Sequence, residues 1–303
     1  MKVLHYQHNG AGVVISAGLR RIGVSSLVAS TAPHPYGFKE DQLITGPMDL
    51  LRFDGFDFLH SHSELKLPRQ VTDRYAGRFV QHYHAASMGK TGRFAGLKTT
   101  VLGTRRFNLY NDAMNFVSTP NILNFIEHAT WVPLPVDTEN FYPARAGGEP
   151  FAIGFNASSL DKSKIRFLMS EQITVAADRL RRMGVDVVLK PQPTSIEHDQ
   201  MHESYWNHID VWVDRFGLGF YGFSAVEAAA CGIPIVCQIG EEESSFVPKC
   251  PFINTTASKL VDVLAETDFL NKKLKKAHRD FAVEVHDFTK VAALCKRKYG
   301  ELL

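Results

Sequence analysis

The stretch that most constrains the fold is residues 217–236, which read GLGFYGFSAVEAAACGIPIV. Glycines precede an alanine-rich run that ends at Gly232, and a short apolar run follows. This order predicts a loop, a helix over residues 224–231, a turn and a buried strand over residues 233–237. Such a unit is typical of an α/β domain with a parallel sheet.

The start of this predicted helix suits an anionic ligand. Glycines let a backbone approach another group closely, and a helix N-terminus offers N–H donors and the positive end of its dipole. Glu227 lies one turn in, where a carboxylate can accept hydrogen bonds from ligand hydroxyls. The alternative is an ordinary buried unit in which Glu227 complements the helix dipole. Spacing alone leaves both interpretations open.

The stretch resembles the signature of retaining glycosyltransferases of family 4, in which a glycine-rich loop precedes a helix reading E-A-x-A-x-G-x-P. The matching residues are Glu227, Ala228, Ala230, Gly232 and Pro234. The resemblance implies the GT-B fold, an α/β fold in which two Rossmann-like domains face a central cleft and a C-terminal helix crosses back to the first domain. It also implies that Glu227 binds the ribose of a nucleotide sugar.

One position departs from the family pattern, because Gly219 stands where another glutamate is common. A subgroup reading V-D-x-x-x-x-G-W-Y-G is the closer match, on Val213, Asp214, Gly219, Tyr221 and Gly222. The missing glutamate leaves open how the donor sugar is held. The nucleotide-sugar contacts that the resemblance implies here are Gly219, Tyr221, Gly222, Phe223, Ser224 and Glu227.

Length and composition fit two globular domains. The chain has 303 residues, 45% of them hydrophobic and 22% charged, with a net charge of +2. No apolar run approaches the roughly 20 residues that span a bilayer, and the first residues read as a strand and loop rather than a signal peptide. The four cysteines form no C-x-x-C pair, which favours a reduced, cytoplasmic setting.

A domain boundary is predicted at residues 144–150, ARAGGEP, a small and glycine-rich segment without pattern. We therefore expect an N-terminal acceptor-side domain over 1–145 and a nucleotide-sugar-binding domain over 150–286. Residues 285–299, VHDFTKVAALCKRKY, resemble the family's ending. This resemblance implies a last helix over 287–303 that packs back on the first domain.

The chain opens with a predicted strand, a loop with Gly10 and Gly12, a helix over residues 13–21 and a second strand. This is the opening of a doubly wound domain, although the loop lacks a complete G-x-G-x-x-G. In GT-B enzymes the matching loop faces the cleft, so the resemblance makes both glycines candidate ligand contacts. A tight turn without a ligand is the alternative.

Two predicted strands end in histidines, His60 and His62 on one and His82 and His84 on the other. Carboxyl ends of strands are where α/β sheets bind ligands. The pattern resembles the family's D-x-x-H-x-H and H-Y-H-G, which implies that His84, with His82 in reserve and His62 as a further candidate, hydrogen-bonds the reacting sugar. Zinc binding is the alternative, and the lack of a nearby cysteine or a helical i, i+4 pair counts against it.

Residues 66–106 are strongly basic, with nine lysines and arginines and one acid, Asp73. Such an asymmetry suggests an anionic partner. Because the family often docks on anionic membranes to reach lipid-linked acceptors, peripheral attachment to the inner membrane face is one interpretation. A solvated basic surface is the other. Nucleic acid is not expected, because the stretch carries no recognised reading motif.

Two further passages resemble the family. Residues 130–143, TWVPLPVDTENFYP, match its W-x-P-N-x-V-D-x-x-x-F-x-P, with Leu134 in place of the usual asparagine. After the first strand of the second domain the family has a basic residue that contacts the donor diphosphate. Lys162 and Lys164 are both candidates, and we favour Lys162. An exposed lysine at a helix start is the alternative.

The resemblance implies an enzyme that moves a sugar from a nucleotide-sugar donor to an acceptor with retention of configuration. The acceptor would be a glycan or a lipid-linked glycan. Its catalytic residues would be His84, Lys162 and Glu227, and it would need neither a cofactor nor a bound metal. The alternatives are a non-catalytic relative that binds glycan or anionic lipid, and a nucleotide-sugar epimerase.

Overall fold

The computed structural model describes residues 1–6, 10–34, 37–62, 67–84, 113–143, 150–156, 164–193, 196–214, 216 and 219–303. Two compact units form within it. Unit 1 comprises Met1–Asp137 together with Val285–Leu303, and unit 2 comprises Thr138–Glu284.

The elements are numbered along the chain. The strands are β1 (Lys2–Tyr6), β2 (Ser25–Ser30), β3 (Gln42–Leu43), β4 (Phe58–Ser61), β5 (Phe79–Tyr83), β6 (Met114–Val117), β7 (Thr130–Trp131), β8 (Phe151–Phe155), β9 (Val187–Pro191), β10 (Val211–Val213), β11 (Ile235–Cys237) and β12 (Ile253–Asn254). The α-helices are α1 (Gly10–Arg21), α2 (Arg69–Arg74), α3 (Lys164–Arg182), α4 (Met201–Ser204), α5 (Phe223–Ala230), α6 (Glu241–Ser244), α7 (Leu260–Glu266), α8 (Lys272–Phe281) and α9 (Phe288–Gly300).

Unit 1 is built on a parallel sheet of seven strands in the order β3-β2-β1-β4-β5-β6-β7. The strand order reverses between β1 and β4, which are neighbours in the sheet. In open α/β sheets, ligands bind beside the carboxyl ends of the strands at such a switch point. The topology therefore places the carboxyl ends of β1 and β4 at the centre of unit 1's candidate binding edge.

Helices α1 and α9 pack against each other on this sheet. At Gly18 the two backbones come so close that an added methyl carbon would lie 2.3 Å from the carbonyl oxygen of Phe288. Helix α9 is capped by Asp287, whose carboxylate accepts a hydrogen bond from the backbone N–H of Thr289 at 3.0 Å. The last residues of the chain are thus part of unit 1.

Unit 2 is a parallel sheet of five strands in the order β12-β11-β10-β8-β9. Its switch point lies between β8 and β10. The helices α3 and α7 pack on each other, and their apolar residues join those of β8, β10 and β11 in one core. The alanine-rich helix α5 follows β10 and is buried from Ala225 to Ala230, as expected for a thin helix that packs close to a sheet.

Residues 198–208 form two 3₁₀ turns around the four-residue helix α4 rather than one continuous helix. Residues 239–251 contain the short helix α6. One predicted boundary was wrong. Helix α1 begins at Gly10 rather than at Val13, so both glycines of the predicted loop lie in its first turn.

Thr119 is the N-cap residue of the 3₁₀ helix Pro120–Phe125, but its side chain makes no capping hydrogen bond. Its hydroxyl is buried and has no hydrogen-bond partner among the described residues. Pro120 occupies the first position of this helix, where the missing N–H costs nothing. The helix therefore begins because of the proline rather than because of a threonine cap.

The side chain of Arg279, in α8, is held by three backbone carbonyls. Its guanidinium donates hydrogen bonds to the carbonyl oxygens of Phe141 and Ala230, both at 2.6 Å, and of Thr138 at 2.9 Å. Ala230 is the last residue of α5, so this arginine binds one of the carbonyls that the helix geometry leaves open. The side chain ties α8 to the segment that enters unit 2.

Two further findings concern the helices and the cysteines. Among the residues that the structure describes, no helix has both the length and the apolarity to cross a membrane. The cysteines Cys231, Cys237 and Cys295 are buried and free, as small core residues would be.

Candidate functional site

Unit 1 concentrates histidines at the carboxyl edge of its sheet. They lie in or directly after the neighbouring strands β1, β4 and β5, and they are His5, His60, His62, His82 and His84. Alternate residues of a strand share one face. The rings in each i, i+2 pair therefore stack, with centroids 4.1 Å apart for His60 and His62 and also for His82 and His84.

The five rings form one hydrogen-bonded chain with Ser118 and Tyr299. The series begins at His5, whose Nδ1 lies 2.9 Å from Nε2 of His62. Nδ1 of His62 in turn lies 2.8 Å from Nε2 of His84. The hydroxyl oxygen of Ser118 joins Nδ1 of His84 at 2.8 Å to Nε2 of His82 at 2.9 Å.

The other end of this hydrogen-bonded series reaches Tyr299 in the C-terminal helix α9. Nδ1 of His82 lies 3.2 Å from Nε2 of His60, and Nδ1 of His60 lies 2.7 Å from the hydroxyl of Tyr299 in α9. Each ring nitrogen in these pairs either donates or accepts, depending on the tautomer. The C-terminal helix thus supports the histidine cluster directly.

Burial differs along the cluster. His5, His60, His62 and His82 are at most 2% exposed, whereas His84 is half-buried. Desolvation lowers the pKa of all five imidazoles, that of His5 to about 3, because burial penalises the charged ring. The five rings are therefore neutral at pH 7, and His84 is the one that presents a surface to an incoming molecule.

The predicted site residues of unit 1 are thus found together, apart from the glycines. His62, His82 and His84 are mutually adjacent at the end of the sheet. Gly10 packs against Phe38, whose ring would lie 2.3 Å from an added methyl carbon, so close packing already explains this glycine. Gly12 is buried in the first turn of α1.

In unit 2 the start of α5 is built on Asp214, which directly follows β10. Its buried carboxylate accepts a hydrogen bond from the backbone N–H of Gly222 at 2.6 Å. Gly222 is the N-cap residue of α5, and Ser224 in the first turn donates a hydrogen bond to Gln192 at 3.0 Å. Both contacts fix the helix N-terminus relative to the carboxyl ends of β9 and β10.

Glu227 lies on the second turn of α5 and is 3% exposed. Its Oε1 lies 2.6 Å from Nε2 of His198, in the 3₁₀ turn His198–Gln200. The imidazole of His198 packs beside the rings of Phe141 and Phe223. The carboxylate is thus oriented by a specific partner, as a group that positions a ligand must be.

The loop before α5 contains the remaining candidates. Gly219 has φ +77°, a left-handed conformation that favours glycine, and its carbonyl accepts a hydrogen bond from the N–H of Gly240 at 2.9 Å. The ring of Tyr221 is buried against Phe220 and Phe252. The side chain of Tyr221 therefore packs in the core, and the part of this residue that can contact a ligand is its backbone.

Lys162 lies outside the described residues, and so do residues 85–112, which include most of the basic stretch. Lys164 is the first residue of α3, and only its backbone is described.

Several residues of these sites were not among the predicted site residues. The contact of His198 with Glu227 was not predicted. His5, Ser118 and Tyr299 were missed as well. The period of two along β4 and β5 could have indicated stacked histidines, whereas nothing local in the sequence indicates that Tyr299 reaches them from 239 residues away.

Comparisons with known proteins agree on the fold. No family model matches the chain, and no curated protein matches it either. Among solved structures, sucrose-phosphate synthase from Thermosynechococcus elongatus is 14% identical with a TM-score of 0.63, covering 100% of this chain and 99% of that one.

Two further structures resemble this chain over nearly its full length. AviGT4, a glycosyltransferase involved in avilamycin A biosynthesis, is 14% identical with a TM-score of 0.58 and covers 100% of this chain and 98% of its own. WaaG, a glycosyltransferase involved in lipopolysaccharide biosynthesis, is 11% identical with a TM-score of 0.58. The match covers 98% of this chain and 99% of WaaG. At such identities the likeness shows the fold alone. It confirms the predicted GT-B fold.

Proposed function

We propose that this protein is a retaining glycosyltransferase of the family 4 type, which moves a sugar from a nucleotide-sugar donor to a glycan or lipid-linked acceptor. The observation that carries the proposal is the oriented carboxylate of Glu227, which His198 holds at 2.6 Å on the helix that follows the switch-point strand β10. A carboxylate at this place suits the two hydroxyls of a ribose, because each hydroxyl can donate a hydrogen bond to it.

The donor diphosphate would bind at the N-terminus of α5. Helix geometry leaves the amides of residues 223–225 without an intrahelical acceptor, and the helix dipole adds positive potential there. Asp214 holds the cap residue Gly222 and so fixes the direction of these amides. As charge develops on the departing diphosphate, preorganised donors of this kind lower the barrier without a bound metal. Lys162 would add a positive charge.

In unit 1 the candidate sugar contact is His84. Its ring is half-buried and neutral, and Ser118 holds its Nδ1. Nε2 is therefore the nitrogen that can bind a sugar hydroxyl, which would replace His62 as its hydrogen-bond partner. A neutral imidazole can donate or accept one hydrogen bond there. We assign it to orienting the reacting sugar rather than to removing a proton.

The proposal is tested by donor binding and turnover with the purified protein. Thermal shifts are measured against UDP, GDP, ADP and dTDP and their sugars, since a ligand at 100 times its dissociation constant adds about 2.7 kcal/mol of stability. The donor that stabilises the protein is then followed for hydrolysis and for transfer to candidate acceptors. Retention is read from the anomeric configuration of the product by NMR.

Matched variants link the result to the site. Glu227→Gln should weaken donor binding, whereas Glu241→Gln, an exposed acid in the same unit, should not. Binding without hydrolysis or transfer would instead indicate a non-catalytic relative, and an altered sugar from donor alone would indicate an epimerase. Wild-type donor affinity in Glu227→Gln would remove the proposed nucleotide site.

A further inference from the structure

We propose that His62, His82 and His84 form a binding site for a divalent transition-metal ion, with Zn²⁺ as the best match. The site lies within unit 1. Its ion would occupy the Nε2 of His84 that the proposed function offers to a sugar hydroxyl, so the ion and the sugar exclude each other at that atom. A bound ion here differs from the expectation that the chain holds no metal.

The first argument is the convergence of three ligand atoms. One ring nitrogen from each of the three histidines lies within 4.8 Å of the others. Around a tetrahedral ion with Zn–N bonds of about 2.0–2.1 Å, ligand nitrogens are about 3.3 Å apart. Nδ1 of His62 and Nε2 of His84 are 2.8 Å apart, so these rings need to separate by only a few tenths of an ångström to admit the ion.

The second argument is that the outer nitrogens are already held. With Nδ1 of His62 and Nε2 of His84 on the ion, Nε2 of His62 keeps its bond to His5 at 2.9 Å and Nδ1 of His84 keeps its bond to Ser118 at 2.8 Å. Metal-ligating histidines almost always have such a partner on the other ring nitrogen, which fixes the tautomer and the ring orientation.

The third ligand is supported in the same way. His82 is bonded through Nδ1 to His60 at 3.2 Å and through Nε2 to Ser118 at 2.9 Å. Either nitrogen can therefore turn to the ion while the other keeps a partner. His60 is held in turn by the hydroxyl of Tyr299, so the outer shell extends into α9.

The third argument is access. A second group of three, His5, His60 and His62, also has converging nitrogens, but these residues are at most 2% exposed. His84 is half-buried, so the group that includes it is more accessible than the other to an entering ion and to a fourth ligand. Three histidines with an open fourth position are the arrangement of catalytic rather than closed structural zinc sites.

The sequence argument against zinc does not apply to this geometry. It relied on the absence of a nearby cysteine and of histidines at i, i+4 on a helix. The ligands here come instead from the ends of two adjacent parallel strands, β4 and β5, where a spacing of two residues places the side chains on one face. Imidazole alone is a suitable ligand set for Zn²⁺, Cu²⁺ and Ni²⁺.

The experiment uses the full chain, freed of metal with a chelator and dialysed. Zn²⁺ is titrated by calorimetry, and Co²⁺ is added separately as a spectroscopic probe. We expect one ion per chain and visible Co²⁺ bands of the intensity that a four- or five-coordinate site gives. His62→Gln, His82→Gln and His84→Gln should each weaken Zn²⁺ binding at least tenfold, whereas His208→Gln, an exposed histidine of unit 2, should leave it unchanged.

Circular dichroism of each variant shows whether it is folded, and the Co²⁺ spectrum of the wild type tests the site without any variant. Octahedral Co²⁺ bands only, or no saturable Zn²⁺ binding, would overturn the proposal and leave the cluster as a hydrogen-bonded network. Loss of binding in His5→Gln with full binding in His84→Gln would also overturn it, because the ion would then occupy the inner group.

Discussion

The imidazole of His198 holds the carboxylate of Glu227, with Nε2 and Oε1 2.6 Å apart. The two residues are 29 positions apart and come from different elements, a 3₁₀ turn after β9 and the helix α5. Because Glu227 is 3% exposed, this contact rather than bulk water sets the direction of its carboxylate. His198 is therefore a positioning residue for the proposed ribose contact.

We expect His198→Ala to weaken donor binding while leaving the fold intact. A hydrogen bond to a charged group is worth about 1.5–3 kcal/mol, which corresponds to a ten- to hundredfold change in dissociation constant if the carboxylate loses its orientation. Calorimetric titration with the preferred nucleotide sugar measures the change.

His198→Gln is the matched control, because its side-chain amide can still donate a hydrogen bond to Glu227. We expect it to recover part of the affinity. If His198→Ala binds the donor as tightly as the wild type, the contact does not orient a binding group.

Gly18 is required by the packing of α1 on α9. An added methyl carbon would lie 2.3 Å from the carbonyl oxygen of Phe288 and 3.0 Å from the β-carbon of Ala292. Backbone cannot move aside cheaply, so Gly18→Ala should destabilise unit 1 by about 1–3 kcal/mol despite the better helix propensity of alanine. Urea denaturation followed by circular dichroism measures the loss.

The same substitution near the end of α9 provides the comparison. An added methyl at Gly300 meets nothing within 4 Å. Gly300→Ala should therefore be neutral or slightly stabilising. Equal destabilisation by both substitutions would show that steric contact with Phe288 is not the cause.

Much of the architecture could be predicted from local sequence. The run of residues 217–236 predicted α5 and β11 to within two residues, because glycines bound the helix on both sides and Gly232 adopts φ +72° at its end. Residues 197–207 do not form one continuous helix, because Trp206 is buried in the core, where its ring packs on Trp212. Tertiary packing there overrides the helical pattern.

The sites were predictable only in part. Single side chains such as His84, directly after a strand, and Glu227, near the start of a helix, are visible in sequence because strand, loop and helix patterns place them. Partners that arrive from distant elements are not, and His198 and Tyr299 are of this kind. Their roles depend on which elements the tertiary fold brings together, which no local pattern specifies.

Arg279 should matter more to stability than the lysines around it. Arg279→Ala removes three hydrogen bonds to the carbonyls of Thr138, Phe141 and Ala230 and leaves those carbonyls without this donor. We expect a loss of about 3 kcal/mol in the free energy of unfolding of unit 2. Denaturation monitored by tryptophan fluorescence is suitable, because Trp206 and Trp212 are buried in this unit.

Lys276→Ala is the control, since Lys276 is exposed and pairs with Asp280 across one helical turn. That ion pair is worth about 0.3–0.5 kcal/mol. Arg279→Lys should recover little of the lost free energy of unfolding, because an ammonium group cannot donate to three carbonyls in the geometry of a planar guanidinium. A loss below 1 kcal/mol in Arg279→Ala would contradict the proposed role.

His286 should make the stability of unit 1 depend on pH. The ring is 1% exposed, its Nδ1 lies 2.7 Å from the carbonyl oxygen of Leu134, and burial lowers its pKa to about 4. In the unfolded chain the pKa is about 6.5. Above that value the ring is neutral in both states and contributes no pH dependence.

As the pH falls from 6.5 towards 4, the unfolded chain binds a proton that the folded chain does not, so the free energy of unfolding decreases. From pH 7 to pH 5 this one residue should contribute a loss of about 2 kcal/mol. Other buried histidines act in the same direction, so the measurement compares wild type with His286→Asn, whose amide can replace Nδ1 as the donor to Leu134. The variant should lose about 2 kcal/mol less than the wild type between these two pH values in urea titrations. Identical pH dependence in the two proteins would mean that the pKa of His286 is the same in the folded and unfolded states. That result would contradict the lowered pKa of the buried ring.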